Sequence, residues 1–363
     1  MLGGRVARSF PIALFTRASL LCAALALAAC GSDPPTTSTN VAPTTDAIAP
    51  ISFGAVFVVN GGDSTLSVIN TETNEVNGTI AMHAVEFPHH VYLSADHAKM
   101  LVAVPGTDLS AGHSSHTGAA GGSPGAVLML EARTGRLIAS RRTDAMNHNA
   151  LYAPNGTEVW TSQHDGRVLV LDGTTLETKQ TIVVGAQPSE VTFSPDGKNA
   201  FVADTGAAAI SIIDPNTKKV IKVIGVGANP VGAWQGTNGI AYVDNEADGT
   251  VSAINTTSLD VVATWRLGFT PAMIAFGPDG NVWVADPYNA RVVIRKPLED
   301  AVIGTAAAGA GAHGIVFSTD GKTAYVSDQD ANTVSVIDVA TFAKIKTIPV
   351  GSKPNGMVSR PKD

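Results

Sequence analysis

Short runs of alternating apolar and polar residues, separated by glycine-rich turns, fill most of this 363-residue chain. The run Thr323–Ser327 alternates as a half-buried strand does, and Asp320-Gly321 just before it is typical of a tight hairpin turn. Residues 314–318, 323–327, 333–339 and 344–350 therefore predict four consecutive short strands.

This four-strand unit repeats along the chain. An anchor position at the start of the unit recurs at seven residues: Pro88, Asn147, Pro188, Pro230, Pro271, Ala312 and Pro354. Five of the six intervals are 41 or 42 residues, and the sixth, of 59 residues from Pro88 to Asn147, must contain an insertion. A period of about 40–45 residues with four strands each predicts a β-propeller. We name the strands of each blade A, B, C and D, from the channel outwards.

The two ends of the chain complement each other. Six complete units lie between His89 and Val350, whereas Ala55–Met82 supplies only strands B, C and D, and Asn355–Arg360 supplies only strand A. The predicted fold is therefore all-β: a single seven-bladed β-propeller over residues 53–363, with four antiparallel strands per blade. The N- and C-terminal strands would close the ring and remove its free sheet edges.

Several segments resemble a known repeat family. Ala324-Tyr-Val-Ser-Asp, Phe201-Val-Ala-Asp and Val56-Phe-Val-Val-Asn resemble the Tyr-Val-Thr-Asn motif of YVTN-type (YncE-like) β-propeller repeats, as does Thr347-Ile-Pro-Val-Gly. The resemblance covers residues from about 54 to 360. It implies the propeller fold but no particular activity, since such propellers serve many roles.

The N-terminus carries the features of a signal peptide. Three arginines, Arg5, Arg8 and Arg17, precede a largely apolar run from Ala18 to Ala29. This run is too short to span a bilayer as a helix. Leu27-Ala-Ala-Cys30 resembles a bacterial lipobox, which implies a signal peptide at 1–29 and lipidation of Cys30. An ordinary secretory signal is the alternative. Residues 30–52, rich in Ser, Thr and Pro, then predict a disordered tether.

Localisation and partners follow from these features. We expect a lipid-anchored protein of the bacterial cell envelope, periplasmic or surface-exposed, and Gly31 after the cysteine favours the outer membrane. Cleavage of the signal peptide would remove Arg5, Arg8 and Arg17 and leave 31 acidic and 21 basic residues. The resulting net charge of −10 argues against nucleic-acid binding. No second cysteine follows Cys30, so no internal disulfide can form. We expect a monomer, with an envelope protein as a further partner.

Histidines gather at one predicted face of the ring. The residues directly after the anchors, at the beginning of strand A, are His89, His148, Ser189, Val231, Ala272, His313 and Asn355. Further histidines lie beside this column or in the loops between strands B and C on the same face: His90, His113, His116 and His164. Imidazole clusters suit transition metals, so these seven histidines predict a zinc or copper site, with His113 and His116 on a mobile arm.

Other candidate chemistry is sparser. Glu190 and Asn149 share the next column with His90 and offer an alternative calcium or magnesium site, as in lactonase-type propellers. Glu190 and Asp165 are the candidates for a general base. Three aspartates that end B strands are expected to cap the following turns: Asp204, Asp286 and Asp328. The four tryptophans are expected to pack between blades.

Three functions remain open at this point. The first is a metal-binding store, chaperone or sensor. The second is a metal-dependent hydrolase, lyase or oxidoreductase that uses the same site, and the third is a scaffold for envelope proteins in which the histidines only line the channel. We expect binding rather than catalysis, because no carboxylate is firmly placed beside the histidines.

Overall fold

The computed structural model describes residues 41–110 and 124–363, which form 29 β-strands and one short 3₁₀ helix, Thr205–Ala207. The strands at the N-terminal end are β1 (Thr44–Thr45), β2 (Ala55–Asn60), β3 (Thr65–Asn70), β4 (Glu75–His83), β5 (His90–Leu93), β6 (Lys99–Val104), β7 (Ala126–Glu131) and β8 (Leu137–Arg142). The next eight are β9 (Ala150–Tyr152), β10 (Glu158–Gln163), β11 (Arg167–Asp172), β12 (Thr178–Val183), β13 (Pro188–Phe193), β14 (Ala200–Asp204), β15 (Ala209–Asp214) and β16 (Lys219–Gly225).

The remaining strands complete the chain. They are β17 (Pro230–Gln235), β18 (Ile240–Asn245), β19 (Thr250–Asn255), β20 (Val261–Arg266), β21 (Ile274–Phe276), β22 (Val282–Asp286), β23 (Arg291–Arg295), β24 (Val302–Ala307), β25 (Ala312–Phe317), β26 (Thr323–Asp328), β27 (Thr333–Asp338), β28 (Lys344–Pro349) and β29 (Pro354–Arg360). Among the described residues, no helix has the length and apolar character needed to cross a bilayer.

The strands build seven antiparallel sheets, which are the blades of a propeller. Blade 1 has the order β29-β2-β3-β4-β1 from the inside outwards, and blades 2 to 7 each contain four strands that follow one another in the chain. The C-terminal β29 pairs with β2, with Ala55 opposite Arg360 and Phe57 opposite Val358. The predicted seven-bladed, all-β fold and its closure by both chain ends are therefore confirmed.

Each position in a blade has a characteristic burial. The B and C strands are apolar and buried along their length, as in β6 and β7, because neighbouring blades cover both of their faces. The outer strands are largely exposed and bury few side chains, such as Ile224 in β16. Aromatic rings join adjacent blades: Trp160 meets Phe193 at 5.2 Å between ring centroids, and Trp283 meets Phe317 at 5.4 Å.

An N-terminal strap covers the outer edge of blades 1 and 2. We use this name for residues 41–53, in which β1 pairs with β4 of blade 1 and the backbone N–H of Ile48 donates to Thr134 O of blade 2. Ile51 is buried in the core cluster that these blades share. The strap overlaps the segment 30–52 that composition predicted to be a tether. Residues 41–52 of that segment pack against the blades, because Ile48 and Ile51 contribute apolar side chains to their core. Residues 1–40, with Cys30, lie outside the described part.

Candidate metal centre

An irregularity at the start of the A strands positions the side chains of the site. In a regular strand, consecutive side chains point to opposite faces. In blade 2, however, His89 N–H donates to Ala103 O at 2.9 Å while His90 is also in register with Ala103. Two residues thus oppose one, which is a β-bulge, and such a bulge can direct two neighbouring side chains to the same side.

The same bulge recurs in other blades. In blade 4, Pro188 pairs with Asp204 and Val191 with Val202, so that Ser189 and Glu190 together oppose one residue. Blade 7 repeats this pattern around His313. The bulge can therefore bring two side chains to the channel mouth in blades 2 and 4, whereas in blade 7 the second bulged residue is Gly314 and only His313 has a side chain to offer.

Three histidines meet at this mouth. His89 and His90 come from blade 2, and His148 lies just before strand β9 of blade 3. Each offers one ligand atom, and these atoms all lie within 4.8 Å of one another. The His89 ring centroid is 4.4 Å from that of His90 and 4.6 Å from that of His148, and the three side chains are only 2–4% exposed. This buried group could hold a metal ion.

Glu190 from blade 4 lies directly beneath the histidines. Its Oε1 is 2.7 Å from His148 Nδ1 and 3.2 Å from His90 Nε2. Its Oε2 accepts hydrogen bonds from Asn149 Nδ2 and, at 3.0 Å, from the Tyr92 hydroxyl. The carboxylate is fully buried and links blades 2, 3 and 4. It is therefore the central acceptor of the polar network at the mouth.

Tyr92 is a member of this network that sequence reasoning did not single out. Burial, followed by the negative charge of Glu190, raises the pKa of the Tyr92 hydroxyl well above its usual value, so the hydroxyl stays protonated and donates. Tyr92 lies four residues after its anchor, as Trp234 does in blade 5. Large aromatic residues at this repeat position were the available signal.

The closing strand holds His89 and leaves room for His90. Asn355 Nδ2 of β29 lies 2.6 Å from His89 Nδ1. The next residue is Gly356, where an added Cβ would lie 2.5 Å from His90 Nδ1 and 2.8 Å from His89 O. A side chain at residue 356 would therefore displace His90, so glycine is required by this close approach.

The wall opposite the histidines is built by blades 5 and 6. A cavity of about 10 Å³ is lined on one side by His89, His90, His148 and His313, and on the other by Val231, Trp234, Asp244, Glu246, Ala272 and Met273. Asp244 Oδ1 accepts hydrogen bonds from Gly232 N–H at 2.9 Å and Trp234 Nε1–H at 2.8 Å. Burial, and secondarily the charge of Glu246, raises the pKa of Asp244 well above its ordinary range.

The predicted histidines are distributed unevenly around this cavity. His313 lines it, with its ring centroid 6.0 Å from that of His89, but is not a member of the close group of three. His164 is buried, and its backbone N–H donates to Met146 O, but it is neither a residue that lines this cavity nor part of the group of three. His113 and His116 lie outside the described residues.

The carboxylates proposed from sequence have different roles. Asp165 pairs with Arg167 in a partly exposed loop and does not line the cavity. Asp286 caps its B-to-C turn by accepting a hydrogen bond from the backbone N–H of Asn289. Asp204 and Asp328 instead accept from Ser211 and Ser335 of strand C, and Asp204 makes no side-chain bond that caps the 3₁₀ helix after it. Asp244 and Glu246 were not predicted, because blade 5 has no histidine in the repeat column to draw attention to it.

The fold and the site together define a seven-bladed β-propeller with a buried histidine cluster at one mouth of its channel. No protein-family model matches the chain. It is similar to the uncharacterized protein YncE of Salmonella typhi and of Salmonella typhimurium, at 22% identity over 231 residues, or 60% of this chain. The chain spans 62% of the length of these relatives. The predicted likeness to YncE-like β-propellers is thus confirmed.

Solved structures with the same fold carry several different names. A candidate 6-phosphogluconolactonase from Bacteroides fragilis aligns with a TM-score of 0.69 and 19% identity, over 87% of this chain and 100% of its own. The periplasmic gluconolactonase PpgL of Pseudomonas aeruginosa gives 0.68 and 16%, over 85% and 99%. The dihydro-heme d1 dehydrogenase NirN gives 0.62 and 12%, over 87% and 79%. At such identities the likeness is one of fold alone.

Proposed function

We propose that this protein binds a transition-metal ion at the channel mouth, as a store, chaperone or sensor in the bacterial envelope. The observation that carries the proposal is the group of His89, His90 and His148, whose ligand atoms lie within 4.8 Å of one another in a buried position. Neutral imidazoles are common ligands of zinc and copper. His313 lines the same cavity, with its ring centroid 6.0 Å from that of His89.

The surroundings of the three histidines support this proposal. Metal-bound histidines usually hold their second ring nitrogen against a carboxylate or carbonyl group, which fixes the ring. Glu190 Oε1 is placed in this way against His148 Nδ1, which leaves Nε2 as the atom that His148 would offer to the ion. Asn355 contacts His89 differently, because the group 2.6 Å from His89 Nδ1 is the donor Nδ2 of its amide.

The envelope location rests on the sequence around Cys30. The proposal includes a lipid on this cysteine and His113 and His116 as an arm that modulates exchange of the ion. Metabolic labelling with a fatty acid tests the anchor, because a Cys30→Ser variant should take up none. Persistent labelling of that variant would exclude the lipobox interpretation.

Calorimetric titration with zinc and with copper tests the metal site. The wild type should bind one ion, and a His89→Ala/His148→Ala variant should lose at least about 10-fold in affinity, because even indirect contacts to metal sites are worth about that much. His97→Asn is the matched control: His97 is exposed and has φ = 56°, which Asn tolerates. Equal affinities of the wild type and the double variant would refute the proposal.

A metal-dependent hydrolase is the second candidate. It is favoured by the buried Asp244 and Glu246 across the cavity from the histidines, and by structural neighbours named as lactonases. A metal-bound water opposite a carboxylate is a common hydrolytic arrangement. Zinc-loaded wild type assayed with a sugar lactone should then hydrolyse it faster than the His89→Ala/His148→Ala variant does, whereas equal rates would leave binding as the function.

A further inference from the structure

Glu246 faces the histidine cluster from the other side of the channel mouth. It is the first residue after strand β18, in the loop between strands B and C of blade 5, and it is only 3% exposed. It lines the same cavity as His89, His90 and His148. That cavity, of about 10 Å³, has room for roughly one water-sized sphere. An ion placed there would therefore lie between the histidine wall and the Glu246 wall.

The donor atoms around the cavity indicate which ion would suit it. The histidines offer ring nitrogens, and Glu246 offers carboxylate oxygens. A mixed set of nitrogen and oxygen donors is that of zinc and other divalent ions rather than of Cu⁺, which favours thiolate and thioether ligands.

We propose that Glu246 is the oxygen ligand of the site and that the site therefore selects a divalent cation of the zinc class. This inference rests on the proposed metal-binding function, and it adds a ligand that the histidine pattern does not reveal. Trp234, Met273 and Ala272 line the rest of this wall and would keep bulk water away from the ion.

The neighbouring acid, Asp244, has a different role in this proposal. Its Oδ1 already accepts hydrogen bonds from Trp234 Nε1–H and Gly232 N–H, so it positions the tryptophan of the wall. Glu177→Gln is the control, because Glu177 is exposed and does not line the cavity, so the change removes one acid without altering the site.

Titration with Zn²⁺ and Co²⁺, together with the visible spectrum of the cobalt-loaded protein, tests the role of Glu246. Glu246→Gln should lower the affinity for both ions at least about 10-fold and change the cobalt absorption bands, because an oxygen ligand is lost. Glu246→Asp should recover part of the affinity, and the control Glu177→Gln should resemble the wild type. Anaerobic titration with Cu⁺ should be weak and unaffected by Glu246→Gln.

The results separate this inference from the proposed function. If Glu246→Gln binds Zn²⁺ like the wild type with the same cobalt spectrum, while His89→Ala loses binding, Glu246 is not a ligand and the histidine site stands. If His89→Ala also binds like the wild type, both proposals fail. Tighter binding of Cu⁺ than of Zn²⁺ by the wild type would overturn the divalent selection. Melting curves of the metal-free variants check that each one is folded.

Discussion

Two sets of polar side chains recur in the blades, and their hydrogen bonds run in different directions. The first set ends the B strands and consists of Asn60, Asp204, Asn245 and Asp328, each bonded to a serine seven residues later in its own blade. The second set begins the A strands and consists of His89, His148, Glu190 and Asn355, whose contacts cross from one blade to another.

Hydrogen bonds within a blade stabilise the repeat itself, whereas those between blades belong to one mouth of the channel. A bond within a blade, such as Asp204 Oδ2 accepting from Ser211 Oγ at 2.6 Å, stabilises a hairpin and can recur in every unit. A bond between blades, such as Glu190 with His148, depends on which residues meet across the ring. Polar groups of the second kind are therefore the better guide to function in a repeat protein.

The largest effect is expected when the ring itself is opened. Deletion of residues 354–363 removes β29, which pairs with β2 and also carries Asn355. The exposed edge should cause aggregation and loss of cooperative unfolding, seen by gel filtration and thermal circular dichroism. A truncated protein that stays monomeric with an unchanged melting temperature would show that blade 1 closes without this strand.

A smaller loss is expected when only the bonds between blades are removed. Glu190→Ala leaves Asn149, Tyr92 and His148 buried without their shared acceptor, which should cost about 3–5 kcal/mol of unfolding free energy. Urea denaturation at pH 7 measures this value. Glu177→Ala, on an exposed turn, is the control and should have little effect. A loss below about 1 kcal/mol for Glu190→Ala would mean that the network contributes little to the ring.

The smallest effect is expected within a blade. Burial raises the pKa of Asp204 to about 6, above its ordinary value of 3.8. The folded state therefore binds the proton more tightly, so this stabilisation is complete below about pH 3.8 and is lost as the pH rises through about 6. Asp204→Asn, which copies Asn60 and Asn245, removes this dependence.

Denaturant unfolding at pH 4 and at pH 7 measures the effect of Asp204→Asn. Relative to the variant, the wild type should lose up to about 3 kcal/mol between these two pH values. Asp196→Asn, at an exposed turn, controls for the general effect of removing one acid. Parallel pH profiles of the wild type and Asp204→Asn would show that folding does not raise the pKa of Asp204.

The repeat spacing predicted the fold well but the site only in part. Intervals of 41 or 42 residues and the complementary chain ends fixed seven blades, since each strand position depends on local pattern. The same alignment grouped His89, His148 and His313, whereas the structure brings His90 rather than His313 into the close group. The reason is the bulge at His89 and His90, which turns both side chains to the same side. The alternation of apolar and polar residues in the sequence does not indicate such a bulge.

Glu246 and the strap show a second limit of sequence reasoning. Glu246 approaches the histidines only because blade 5 lies across the ring from blades 2 and 3, which is a property of closure and not of any local segment. The packing of the strap could not be predicted, because the composition of its segment is typical of tethers. Ile48 and Ile51 were the only signal that it would pack. Its order comes from the blades that it contacts.

The strap also determines where anything upstream of the propeller is attached. Arg142, at the end of β8 in blade 2, donates to Val41 O, and Thr45 of β1 pairs with Met82 of β4 in blade 1. The strap therefore meets the propeller at its outer edge, whereas the histidines lie at the channel mouth in the centre of the ring. A label or linker attached at Val41 would therefore lie at the outer edge of blades 1 and 2, away from the channel mouth that the histidines line.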